Sequence, residues 1–327
     1  MTDDATLDLS GTPEDAPGPD GMTRRQLLRH AGWFGSAVVL TVTGGEVISH
    51  VAHDKDSAAA AATAADAGAL RFVQISDSHI GFTGPANTDV TASFTDAIGQ
   101  VNALGFRPQF VMHTGDLTHT STPAQFDQVK QMLGGIRTDR TFTVPGEHDS
   151  VGDSGRAYRQ TFGAATSGDG WYSFDTHGVH FIALVNTLSL EKLGHLGPDQ
   201  IEFVRKDVAG LRSDTPIVVF SHIPLFAMYP EWGWSTDDSL QVLNLLQRFG
   251  SVTCLNGHVH QLFSKTEGNV TFHSATTTAY PLPAPGRAPA PTPQVLPAGH
   301  LKEALGIRTV TYKTGTSALA VTDQRLA

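Results

Sequence analysis

Residues 71–79 read RFVQISDSH, an apolar run of strand character that stops at a carboxylate and an imidazole, Asp77 and His79. The same grammar returns four times. QFVMHTGD (109–116) ends in Asp116 and TFTVPGEHD (141–149) in Glu147, His148 and Asp149; PIVVFSH (216–222) ends in His222 and VTCLNGHVH (252–260) in His258 and His260. Short continuous apolar runs suit strands buried on both faces. Polar groups gathered at strand ends are where sites form in open α/β sheets. Three of the junctions carry a glycine, Gly115, Gly146 and Gly257, which allows a tight turn directly after the strand. Helical patterns lie near 89–104, 123–134, 198–212 and 238–249, so strand and helix alternate through the first half and predict βαβ units. WYSFDTHGVHFIALVN differs. It predicts strands at 171–175 and 179–186 around a tight turn at Thr176-His177-Gly178, an antiparallel hairpin. The expectation is an α/β fold of mixed sheets with helices outside.

Residues 71–327 are enough for one large α/β domain. Residues 1–21 are acidic, rich in Gly and Pro and without apolar periodicity, and are expected to be disordered. Over 22–47, Arg24 and Arg25 precede a modest apolar run from Trp33 to Val42, which resembles a twin-arginine export signal. That predicts delivery by the twin-arginine machinery to the periplasm or the extracellular space, with membrane contact only through a leader that is retained. A basic amphipathic helix docked on the domain is the alternative. Residues 48–70 form an Ala-rich linker, 281–299 a Pro/Ala-rich surface strap, and 307–322 one or two short strands.

The formal net charge of −10 argues against nucleic acid or an anionic membrane as main partner, since both call for a basic face. A phosphate site on such a chain must draw positive charge locally, and bound cations supply it. Cys254 is the single cysteine, so thiolate clusters and intramolecular disulfides are excluded. Fifteen histidines are available instead, and an imidazole–carboxylate site suits Zn, Fe or Mn. Taken one at a time, a strand-end His or a Gly-Asp pair is usually a cap or a satisfied surface group. Five in order, each after a strand, are specific. Two divalent ions about 3.5–4 Å apart clamp a phosphoryl group and activate water at neutral pH, which requires a carboxylate able to serve both ions and neutral imidazoles around them. If the x-H-x-H stretch is extended, His258 and His260 share a face and can each address a different ion, and Asp77 and His79 likewise share a face.

The five blocks are similar to those of the calcineurin-like metallophosphoesterases, and over about 71–275 the chain looks most like the compact bacterial phosphodiesterase group. The resemblance implies a four-layer α/β/β/α sandwich of two mixed sheets flanked by helices, with the site at the sheet ends. It implies that Asp77, His79 and His260 hold one ion, that Asp116 bridges, and that Glu147, His222 and His258 hold the second. His148 would lie over the substrate phosphate and serve the leaving oxygen, with Asp149 orienting it.

The family's third block normally reads Gly-Asn-His-Asp or Gly-Asn-His-Glu; here Glu147 stands where a neutral amide is usual. Glutamate offers only acceptors and adds a negative charge, which favours Mn or Fe over Zn and disfavours a dianionic phosphate relative to a diester. A tolerated swap with ordinary activity is the bland reading, and loss of hydrolysis a third. Asp116-Leu117-Thr118-His119 lacks the metal-bound tyrosine of purple acid phosphatases. His119 is a further ligand, a hydrogen-bond partner of the rim or a solvated loop residue, while His113 should support a ligand from behind and His177 and His180 stay uninvolved. In PLFAMYPEWGW (224–234), Trp232 and Trp234 either stack on the substrate or pack the loop. The function expected is hydrolysis of a small-molecule phosphoester outside the cytoplasm, a diester ahead of a monoester; the alternative is a non-hydrolytic metal-binding or metal-handling protein on the same fold.

Overall fold

Parallel strands need crossovers, and the helical segments between the apolar runs provide them. The computed structural model describes residues 69–327 other than 189–191, 315, 317 and 318, and a short antiparallel pair, Val42–Thr43 with Glu46–Val47. The expectations for the disordered N-terminus, the leader and the linker fall outside the described residues, apart from that pair and residues 69–70. The domain's first strand starts at Leu70 rather than Arg71.

Two sheets form. The first holds β1 (Leu70–Ile75), β2 (Phe110–His113) and β3 (Thr141–Thr143) in parallel, with β10 (Gly306–Tyr312) antiparallel to β1 and β11 (Ala320–Arg325) antiparallel to β10. The second runs β8 (Phe263–Glu267), β9 (Val270–Ser274), β7 (Val252–Asn256), β6 (Ile217–Ser221), β5 (Val179–Ala183), β4 (Tyr172–Thr176), parallel from β9 to β5 and antiparallel at both edges. Between the sheets Phe72 stacks on Phe110 at 4.6 Å, and Phe181 and Phe220 meet Phe72 edge-on. The pleat sends Val73 and Ile75 to the other face, into a cluster with α1 (Val90–Asn102) and α2 (Pro123–Leu133). Helix α1 buries Val90, Phe94, Ala97, Ile98 and Val101, one stripe of 3.6 periodicity, and starts where the Asp89 side chain accepts from Ala92 N–H. Helix α4 (Pro198–Val208) lies on the outer face of the second sheet, bonded through Asp207 to His180, and packs against α5 (Ser239–Leu246). The expected four layers are therefore present.

One polar bridge crosses the apolar layer. Gln74 Nε2 donates to Thr114 Oγ1 at 3.0 Å and to the Asn256 carbonyl at 3.2 Å. Buried Arg308 donates to Gln74 Oε1, to the Ser274 carbonyl and to Asp323. These bonds tie the C-terminal ends of strands in different sheets to one another, directly beneath the junctions that carry the polar motifs.

Three features differ from expectation. Strand β5 ends at Ala183 rather than 186 because the Gln200 side chain takes both backbone groups of Val185. The hairpin of β8 and β9 was not legible, since FSKTE alternates half-buried and exposed positions without an apolar run. Helix α3 (Arg156–Phe162) was also missed; it is short and buries Tyr158 as its one fully covered residue. The β4–β5 hairpin forms as expected, with positive φ at both His177 and Gly178.

His180 bridges Asp175 Oδ1 at 2.9 Å and Asp207 Oδ2 at 2.8 Å. Burial opposes its charge, but the two carboxylates outweigh burial and raise its pKa above the ordinary histidine value. With the folded pKa above the unfolded one, its stabilisation is complete below about pH 6.5 and fades as pH rises through the folded value. His180→Asn should therefore lower the midpoint of thermal unfolding at pH 6, by about 1–2 kcal/mol of stability, and by less at pH 9. Equal losses at the two pH values would contradict the charged bridge.

Candidate metal centre

Three of the five junctions leave their strands by an abrupt turn. Asp77, His79, Asp116, His258 and His260 all have φ between 42° and 66°, five of the eight non-glycine residues with positive φ among those described. The expected extended x-H-x-H geometry is thus corrected: these side chains are aimed by left-handed backbone, a conformation that costs on the order of 1 kcal/mol per residue. Cross-loop bonds hold it. Asp77 N–H donates to Gly115 O, and His79 N–H to Asp116 O. His258 N–H donates to Asp77 Oδ1, and His148 N–H to Asp116 Oδ1, both at 3.0 Å.

The side chains gather in two groups. Asp77, His79, Asp116 and His260 bring one donor atom each within 4.8 Å of the others, and so do Glu147, His222 and His258. Asp116 Oδ2 stands between them, 3.4 Å from His79 Nε2 and 3.4 Å from His222 Nε2. His222 Nδ1 donates to the Thr114 carbonyl and His260 Nδ1 to the Tyr280 carbonyl, so both rings turn Nε2 inward. Burial, with His148 and His260 nearby, holds His79 well below the usual histidine range, hence neutral. Glu147 Oε2 and His222 Nε2 converge to 2.9 Å, and Asp77 Oδ2 is buried without a hydrogen-bond partner. Three carboxylates brought this close together call for positive charge among them. The donor set of carboxylate oxygens and imidazole nitrogens fits hard to borderline cations.

His148 stands over this cluster with Nδ1 donating to the His119 carbonyl at 2.8 Å, which leaves Nε2 for the site. Asp149 does not orient it. Its carboxylate is fully buried and accepts from Leu117 N–H, Thr118 N–H, Thr118 Oγ1 and Gly146 N–H, so it joins two loops instead. His119 is no solvated loop residue: its ring stacks on His148 at 4.8 Å and its Nδ1 lies 3.4 Å from His79 Nδ1. His113 is buried and its Nε2 meets Ser78 Oγ at 2.9 Å, behind the site as expected, with burial pushing its pKa down to about 3. Trp234 is 1% exposed, which rules out stacking on a substrate; it packs the loop edge-on against half-buried Trp232. Tyr280 was missed. It lies tilted against His79 and His260 and supplies the carbonyl for His260, but no motif surrounds it in the sequence.

The family model described as calcineurin-like phosphoesterase matches residues 70–262. The glycerophosphodiester phosphodiesterase GpdQ of Enterobacter lignolyticus is 24% identical over 205 residues, which cover 60% of this chain and 71% of that protein. A purple acid phosphatase from yellow lupin seeds superposes over 79% of this chain with a TM-score of 0.57 and 17% identity; the match spans about half, 51%, of its length. A dimetal phosphatase from Danio rerio superposes over 79% of this chain and 99% of its own, with a TM-score of 0.55 and 15% identity. At these identities the structural likeness is one of fold.

Gly146 is pressed against Asp116, so that a Cβ there would overlap Asp116 Oδ1. Gly146→Ala should displace the shared carboxylate and weaken Mn²⁺ binding by about tenfold or more, read by calorimetric titration. Unchanged affinity would mean that Asp116 is not held where it is by this contact.

Proposed function

The chain belongs to the calcineurin-like phosphoesterase family, and on that premise we propose that it is an exported phosphoester hydrolase that works with two cations and prefers diesters. The observation that carries this is the shared position of Asp116 between two complete donor groups, with the free nitrogen of His148 alongside. Asp77, His79 and His260 hold one cation, Glu147, His222 and His258 the other, and Asp116 serves both. When bound, the cations supply Lewis acidity toward the phosphoryl oxygens and lower the pKa of water. His148, fixed at Nδ1, presents Nε2 to deliver a proton to the leaving oxygen. Asp149 keeps the loops of Asp116 and Glu147 in mutual register.

Glu147 sets the preferences. With Asp77 and Asp116 it brings a third carboxylate to the site, and the extra charge repels a dianionic monoester more than a singly charged diester. It also favours Mn or Fe over Zn. The name of the Enterobacter lignolyticus relative, a phosphodiesterase, supports the diester reading. Small-molecule diesters such as a cyclic nucleotide or a lipid headgroup are the substrates this reading assigns.

Reconstitution with Mn²⁺, Fe²⁺ or Zn²⁺, followed by assay on a generic aryl phosphodiester and monoester, tests the proposal. Glu147→Asn should raise the monoester rate relative to the diester by about tenfold, the effect of relieving about 1.4 kcal/mol of repulsion. His148→Ala should lower hydrolysis by ~10²-fold or more with cation content unchanged. A parent without hydrolysis, to which Glu147→Asn adds none, favours a metal-handling role.

Export is the remaining part of the proposal, and it rests on Arg24 and Arg25 ahead of the apolar run from Trp33. Replacing both by Lys should leave the protein in the cytoplasm, as cell fractionation would register. Normal export of that variant rejects the twin-arginine route.

A further inference from the structure

The tautomer of a ligating imidazole is set by what its remote nitrogen touches. For His222 and His260 that partner is a main-chain carbonyl, of Thr114 and Tyr280 respectively. His79 has a side chain instead. Its Nδ1 faces His119 Nδ1 at 3.4 Å, while its Nε2 turns toward Asp116 Oδ2 and His260 Nε2. If Nε2 offers its lone pair to a cation, the ring proton sits on Nδ1 and needs an acceptor. His119 provides one only when its own Nδ1 is bare and its proton sits on Nε2.

We propose that His119 is a positioning residue whose imidazole holds His79 in the ligating tautomer while its carbonyl holds His148. The inference rests on the two-cation reading above and names what secures a ring that has no main-chain carbonyl behind it. His119 is not itself a ligand, because its inward nitrogen is occupied by His79. The trio of His79, His119 and His148, whose ring nitrogens lie within 4.8 Å, is no third cation site either: an ion there would displace the very proton that ligation through Nε2 places on His79 Nδ1. The plane of His119 is fixed by stacking on His148 at 17° and by its edge on Phe82 at 5.1 Å. Because the bond to His148 comes from the main chain, replacing the side chain separates the two tasks.

The test is calorimetric titration of Mn²⁺ into the chelator-stripped full-length protein, its His119→Leu variant and its His119→Asn variant. Leucine removes the acceptor; asparagine returns an oxygen close to the place of Nδ1. Leu should weaken one of two binding steps by about 10–100-fold and spare the other, and Asn should restore it. Identical isotherms for parent and Leu, or a weakened step that Asn does not restore, overturn the role of His119 and leave the two-cation reading standing. A parent that binds three ions overturns it too, by making His119 a ligand. A parent that binds no ion overturns the two-cation reading itself. If Leu does not fold, ring ¹⁵N spectra of the Zn²⁺-loaded parent decide: a proton on His79 Nδ1 supports the inference, and one on Nε2 sinks it.

Discussion

Two loops from different sheets lean on the carboxylate of Asp116. His79 and His222 both approach one oxygen to 3.4 Å, while the other oxygen accepts the N–H of His148. For one side chain to be reached from both sheets, the strands carrying those loops must end at the same level. The register supplies this, with Ile75 opposite His113 in the first sheet and Ser221 opposite Asn256 in the second. Gln74 and Arg308 then fasten one sheet to the other. The left-handed residues follow from the same demand. A side chain at a strand end that continued in extended geometry would point to a face of the sheet; a turn through positive φ swings it across the edge.

Most of this was legible in the sequence because it is written in short-range terms. An apolar run followed at once by Asp or His marks both a buried strand and its end, and seven of the eleven strands of the two sheets were read that way or by hairpin chemistry, with one or two more expected over 307–322, where β10 lies. What escaped has no such signal. The β8–β9 hairpin is half-exposed, so its alternation is built from Ser, Lys, Thr and Glu rather than apolar residues. Tyr280 acts through a carbonyl, which every residue has, and its ring reaches the site only because Thr277 and Thr278 pin that segment to the end of β1. Asp149 and Trp234 were given roles that depend on direction, and direction is settled by tertiary contacts: backbone N–H groups enclose the first and the loop buries the second.

The charge distribution within the cluster is as informative as its shape. Burial penalises every ion, but Glu147 stays well below the usual carboxylate range because His258 and His222 face it, and His222 is held well above the usual histidine range by Asp116 and Glu147. The His222 imidazole thus stands in electrostatically for part of a cation's charge. A neutral amide at position 147 cannot make that exchange, so the carboxylate gives this chain a way to hold its loops together before any ion arrives.

The place of β1 in its sheet has a consequence for biosynthesis. On one side β1 pairs with β2, which follows closely in the chain, but on the other it pairs with β10, so that Phe72 waits for Val310. Arg308, which braces Gln74 beneath Asp77, arrives with the same strand. The ribosome must therefore deliver almost the whole domain before the strand that opens the ligand set is flanked on both sides. Contacts so distant in sequence close late, after loop-closure entropy has been overcome. A nascent chain has His79 long before it has a place to put it, and assembly of the centre becomes an event of the completed domain.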